Sequence, residues 1–258
     1  MGVARRTVRP ERLTHVNDRV YIHEFIDIIG HHRAHYMQHM TANWGPVGQE
    51  ERNQLCYGVW ALVGSTGAWP KTVNMWEHED WPGLASSFAT ENVGRGAQDP
   101  SLERWWSKAA EFRSGGFDRI VLPAPWTRTI EELCSDGIRG DVYAHELVSV
   151  APGTAADLLE RARDASELHA RHGWELFGAF TTAMVNDDEA LLLWAIPTWQ
   201  QWADGESDRD LAHWRRALDA TKWHRVVMVD APLGPLRLGR QPSRSDRIDW
   251  QDGEGSGI

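Results

Sequence analysis

The chain repeats itself, and this narrows the folds open to it more than any other feature. The segment Tyr21-Ile-His-Glu-Phe-Ile-Asp-Ile28 returns as Tyr143-Ala-His-Glu-Leu-Val-Ser-Val150, setting Tyr21 on Tyr143, His23 on His145 and Glu24 on Glu146. Tyr57-Gly-Val-Trp60 returns as Phe177-Gly-Ala-Phe180, and Val73-Asn-Met-Trp76 as Leu191-Leu-Leu-Trp194. Leu102-Glu-Arg-Trp105 matches Leu211-Ala-His-Trp214. Arg119-Ile-Val-Leu122 matches Arg225-Val-Val-Met228, and both run on to an Ala-Pro pair at 124–125 and 231–232. The blocks recur in one order with slowly drifting offsets, as expected if insertions fall only in loops.

Each half also carries the same succession of periodicities. A β-rich run (20–29 or 142–150) leads into a helical stretch (31–43 or 154–171). Two further β-rich runs follow, 55–63 with 72–78 and 175–184 with 190–196, the second pair joined by the turn-forming Asn186-Asp187-Asp188. A second helical region (80–90 with 101–112, or 198–203 with 208–221) and a last strand (118–122 or 224–229) complete the half. The order βαββαβ is the split βαβ, or ferredoxin-like, pattern. We therefore expect an α+β protein made of two tandem ferredoxin-like halves. Residues 1–18 read as an N-terminal arm, 19–125 as the first half, 126–140 as a linker, 141–235 as the second half and 236–258 as a flexible polar tail. A four-stranded sheet with helices on one face leaves the other bare. The two sheets should pack face to face around a shared, Trp-lined cavity, as a dimeric α+β barrel within one chain. A monomer is then sufficient, and a homodimer is open.

Composition removes several classes of partner. The net charge of −10 argues against nucleic acid, and the one basic cluster, Arg5, Arg6, Arg9 and Arg12, reads as a solvated arm. No apolar run is long enough to span a membrane, and Cys56 and Cys134 lack metal or redox spacing, so a cytoplasmic protein is expected. Gly-rich phosphate loops, nucleophile elbows and carboxylate-rich metal signatures are missing. Fifteen tryptophans stand out, some of them suited to the wall of a pocket for an apolar or aromatic ligand.

The first strands, with His23-Glu24-Phe25 and with His145-Glu146-Leu147 ahead of Pro152-Gly153, resemble those of the NIPSNAP-type branch of the dimeric α+β barrel superfamily. Trp69-Pro70 followed by Val73-Asn74-Met75-Trp76-Glu77 looks like that family's central hairpin. The resemblance spans about residues 18 to 233. Ile26 and Val148 stand where the family has Arg, so no role of that Arg is carried over. What the resemblance implies is a small-molecule pocket inside the barrel, in a superfamily of cofactor-free monooxygenases, isomerases, lyases and haem enzymes.

The contrast between halves locates candidate chemistry. Asn74 stands against Leu192, Glu77 against Ala195 and His78 against Ile196. Alternation puts Asn74, Trp76 and His78 on one face, and Val73 and Met75 against helices would leave Asn74 and His78 inward. His23 and Glu24 point to opposite faces of their strand, and flanking Ile22, Ile26 and Ile28 favour Glu24 as the cavity residue. A histidine is the default proton-transfer group, and a carboxyl in an apolar cavity has its pKa raised to a useful range. The candidates are His23, Glu24 and His78 as acid/base groups, with Asn74, Tyr57, Trp60, Trp76 and Glu146 around the substrate. His31, His35 and His39 share a helix face but have no Cys, Asp or Glu to complete a metal set, and read as a solvated or interfacial face. The expected function is cofactor-independent acid/base chemistry on a small apolar or aromatic metabolite. The alternatives are a haem enzyme, its axial ligand among His145, His169, His213 or His224, and a non-catalytic binding or interaction protein.

Overall fold

The computed structural model describes residues 16–246. Among them, eight strands close into one barrel. The first half supplies β1 (Val20–Ile28), β2 (Gln54–Leu62), β3 (Lys71–His78) and β4 (Arg113–Pro123). The second supplies β5 (Val142–Val150), β6 (Glu175–Thr182), β7 (Glu189–Ile196) and β8 (Ala220–Asp230). The order around the barrel is β1-β3-β2-β8-β5-β7-β6-β4, with β4 returning to β1, so both halves have one internal strand order. The sequence leads one to expect two sheets packed face to face, but they do not stack as separate layers. Their edges join instead: Ala61 pairs with Val229 between β2 and β8, and Leu122 with Thr181 between β4 and β6. Closure satisfies the edge donors and acceptors that a sandwich leaves open.

Closure also turns the inner face into a core. Tyr21, Val73, Met75, Val121, Tyr143, Leu191, Leu193, Val226 and Met228 meet inside the barrel and are almost wholly buried. Tyr57 and Trp60 join them, because a bulge between Cys56 and Gly58 shifts the alternation of β2 by one residue. A Cβ on Gly58 would lie 2.0 Å from the Trp60 ring, so glycine is what lets the indole lie back over its own strand. Gly178 and Phe180 repeat the device in β6. The expected cavity between the sheets is therefore occupied by side chains.

The other sheet face carries helices. The helix expected over 31–43 continues to residue 52 as α1 (Arg33–Gln38), a π-helical segment (His39–Trp44) and α2 (Gly45–Arg52). Pro46 has no N–H to give, and the wider π turns just before it absorb that defect without ending the helix. The remaining helices of the first half are α3 (Trp81–Glu91) and α4 (Pro100–Ala109). The stretch expected as a plain linker contains α5 (Ile130–Ser135), whose Ile130 and Leu133 plug the barrel. In the second half lie α6 (Ala155–Asp164), α7 (Ser166–Ala170), α8 (Trp199–Ser207) and α9 (Arg209–Ala217). Two boundaries differ from the sequence reading. Asn17, placed in the arm, is buried and donates to Tyr21 Oη and to the Thr127 carbonyl, each at 2.9 Å. Residues 236–246 are not a free tail: α10 (Pro235–Leu238) seats Leu236 in the barrel core, and Gln241 brackets the backbone of Cys56 with bonds of 3.0 and 2.9 Å. The basic cluster and residues 247–258 lie outside the described residues.

Glu77 sits at the plugged end, accepting from Tyr21 Oη and the Ile130 amide, both at 2.9 Å, and burial pushes its pKa up to about 7. A carboxyl whose pKa is raised by folding favours the folded state below its unfolded pKa and loses that contribution as pH rises through the folded value. We expect stability to fall by about 3 kcal/mol between roughly pH 4.5 and pH 7 on this account, and Glu77→Gln to flatten the profile in chemical denaturation at both pH values. Asp230, pushed up to about 8 by burial, extends the decline to higher pH. Gly58→Ala should cost about 1–3 kcal/mol, read as a lowered Tm, because the added methyl must displace the Trp60 ring.

Candidate functional site

The main cavity lies outside the barrel, between the first half's sheet and its helices, with a volume of about 670 Å³. Strands β1 and β3 place Glu24 and Trp76 on its floor, and β4 brings Phe117, Asp118 and Arg119 to its mouth. The π-helical segment lends Met40 and Trp44, and α4 lends Trp105 and Trp106. Wider π turns bring residues four apart nearly into line, so Met40 and Trp44 both face the opening. The rim is apolar and comes partly from the other half: Phe117 is 60% exposed, and Met184 on the β6–β7 hairpin 87%. That hairpin carries Asn186-Asp187-Asp188, the turn read from sequence, with Met184 and Asp187 at positive φ.

Glu24 is the polar centre. Its Oε2 accepts from Asn74 Nδ2 at 2.8 Å and from Trp76 Nε1 at 2.9 Å, and the second Asn74 N–H reaches Tyr36 Oη at 2.8 Å. Oε1 has no partner among the described residues. Burial, and next the charge of Asp118 across the β1–β4 pair, raise the Glu24 pKa, against the pull of the Trp76 and Asn74 donors. The same environment raises the Tyr36 hydroxyl, so it stays protonated. Burial raises the pKa of Asp118 as well, and Arg113 opposes the rise at both carboxyls.

The second half holds the same floor in a locked form. Glu146 is fully buried and bonded by Trp194 Nε1 at 3.2 Å and by the Arg225 guanidinium, which also reaches Glu206 Oε1 at 2.6 Å. His169 stacks on Trp194 at 3.9 Å, and Trp174 and Trp214 fill the remaining face. The strand registers explain the difference. Glu146 pairs with Arg225, whereas Glu24 pairs with Asp118. Matching Arg119 to Arg225 by sequence is thus a slip of one residue, which in a strand exchanges the two faces.

The candidates from sequence divide accordingly. Glu24 and Trp76 come together on the cavity floor, and Asn74, fully buried and outside the lining, supports Glu24 from behind by a hydrogen bond. Asn74 and Trp76 face helices and Val73 and Met75 face the barrel, the reverse of the expected orientation; β3 is buried on both faces, so hydrophobicity could not separate them. Tyr57 and Trp60 belong to the barrel core and not to a pocket wall. His23 is inside the barrel, where Arg119 Nη1 donates to its Nδ1 at 3.2 Å. Its proton therefore sits on Nε2 and is donated to His145 Nε2 at 2.8 Å. Burial lowers both pKa values, that of His145 to about 3, so this pair is neutral and enclosed. His78 is buried at the end of β3 with both ring nitrogens unpartnered, its pKa lowered to about 4, outside the cavity lining. Glu146 is held by Arg225. His39 stacks on Trp105 at 4.9 Å, and no cluster among the described residues has the makings of a metal site. Tyr36 and Asp118 were missed from sequence. The pairing of Asp118 with Arg225 was the available signal, hidden by the one-residue slip.

No family model and no curated protein matches the chain. Solved structures do match in fold. A putative monooxygenase from Fusobacterium nucleatum superposes with a TM-score of 0.54 at 8% identity, covering 83% of this chain and 92% of its own. Another from Lactobacillus acidophilus has a TM-score of 0.54 at 7% identity, covering 88% and 97%. An anthrone oxidase-like protein has a TM-score of 0.57 at 10% identity, covering 84% and 93%. At such identities the likeness is one of fold alone, a mixed α+β architecture built on an eight-stranded barrel. No helix among the described residues is long and apolar enough to cross a membrane.

The Glu24 carboxyl should titrate above the ordinary range, and Asn74→Leu, which removes a donor to its ionised form, should move it higher still. Difference infrared spectra against Glu24→Gln would follow the carboxyl band; an ordinary titration in both proteins would contradict the assignment.

Proposed function

We propose that the protein is an enzyme that removes a proton from a small apolar or aromatic substrate, with Glu24 as general base and no cofactor. The observation that carries this reading is the asymmetry of the two floors: one carboxylate is neutralised by an arginine, while its counterpart opens on an aromatic-walled cavity with its pKa raised. Groups of raised pKa facing a cavity mark functional sites, because a base near neutrality removes protons best. Trp44, Trp105 and Phe117 would hold the substrate's flat body, while Asn74 keeps Glu24 oriented through its bond to Tyr36. Deprotonation is the shared first step of isomerase, lyase and cofactor-free oxygenase chemistry. The descriptions of the fold neighbours as monooxygenase and anthrone oxidase-like suit the last of these.

A haem is less well supported. The lining offers carboxylates, guanidinium groups, indoles and two thioethers, but among the described residues no imidazole or thiolate. His169, whose Nε2 is unpartnered, lies flat against Trp194 and does not front the cavity. The finer relationship to the NIPSNAP branch and an origin by tandem duplication belong to the same proposal; they are supported by the shared His-Glu strands and the repeated strand order. With the barrel closed inside one chain, a monomer in the cytoplasm is our working picture.

Hydrogen exchange at carbon reports the deprotonation step whatever product follows it. Aryl ketones and polycyclic phenols are incubated with the protein in D2O, and loss of acidic C–H signals is followed by NMR. Wild type should exchange at least one member of the panel, and Glu24→Gln should slow it by about 10²-fold or more. His78→Gln should stay within a few-fold of wild type. Tight aromatic binding with no exchange anywhere in the panel would instead favour a carrier.

A further inference from the structure

The second half shows what the floor of the first half is built to hold. There the paired carboxylate, Glu146, faces a guanidinium that it shares with Glu206 and that lies 5.6 Å from the centre of the Trp174 ring. A cation between carboxylates and an indole face is a stable arrangement on both electrostatic and cation–π grounds. The first half keeps the carboxylate, the donating indole and the aromatic wall, but pairs Glu24 with Asp118 where the arginine would stand. Arg113 contributes some positive potential, yet its guanidinium is engaged by the Tyr36 hydroxyl and stacks on Trp106 at 4.5 Å. Arg52 is occupied by the Ser87 carbonyl and Asp99, and Arg119 by His23 and Glu189.

What remains around the floor is a surplus of acceptors. Among the described residues Glu24 accepts hydrogen bonds only through Oε2, and the exposed Asp118 accepts none, although the charges of Arg113 and Arg119 oppose the rise of its pKa. A ligand that meets both carboxylates from within the cavity must bring N–H donors and positive charge. We propose that the cavity takes a molecule with a cationic nitrogen, an ammonium or guanidinium group on an apolar or aromatic body, seated where Arg225 sits in the other half. Asp118 binds the cation at the cavity mouth and the indoles enclose the body. The ligand's charge also offsets the cost of ionising Glu24 beside Asp118, which ties this inference to the reading of Glu24 as the base.

Three probes of one shape decide it: tryptamine, tryptophol and indole-3-acetate, titrated calorimetrically into the full chain. The amine should bind about tenfold or more tightly than the alcohol, and the acid least of all. Asp118→Asn should reduce the preference for the amine. Asp118→Arg, which recreates the second half's arrangement, should abolish amine binding without lowering the Tm. If the alcohol binds as well as the amine, or the acid binds best, the cationic ligand is excluded while the aromatic cavity stands. If none of the three binds, the cavity reading and this inference fall together. The wild-type comparison decides the matter even if a variant does not fold.

Discussion

Two short strand junctions, β2 with β8 and β4 with β6, hold the architecture together. Each four-stranded sheet has two edges that must be paired, covered or charged. Here each edge finds the other half's edge, and the barrel closes within one chain. Everything inside then becomes a core that must be filled to interior density, and the rings of Tyr21, Tyr57, Trp60, Tyr143, Phe177 and Phe180 fill it. The bulges beside Gly58 and Gly178 are part of that solution, since they turn an aromatic ring inward where plain alternation would turn it out.

With the barrel filled, the cavity lies on the outer face. Both halves build that face from a Glu on the first strand and an indole donor on the third. In one half an arginine and a stack of His169, Trp174, Trp194 and Trp214 complete it as structure. In the other, Asp118 replaces the arginine, and the π-helical segment with α4 stands off to leave about 670 Å³. The buried His23–His145 pair is architectural: with Arg119 on one nitrogen, each imidazole is fixed in one neutral tautomer in the barrel interior.

Sequence reasoning succeeded where local pattern and physical requirement coincide. The strands and the hairpin at Asn186-Asp187-Asp188 follow from periodicity and turn chemistry. It failed where one residue of register changes the answer. Placing Arg119 on Arg225 concealed Asp118, and ordinary alternation put Trp60 and Tyr57 in a pocket wall. The helix beyond residue 43 was hidden by Pro46, which in an α-helical register would have ended it.

The sequence by itself determined the α+β class and the order of strands and helices, because these depend on neighbours along the chain. Only the tertiary structure decided that the sheets join by their edges, that the inner face is packed and the outer one hollow, and that Glu24 lacks the arginine which its counterpart possesses. Those outcomes depend on which face of a doubly buried strand meets which partner. Hydrophobicity is nearly equal on the two faces of such a strand, so composition and alternation carry no information about the choice.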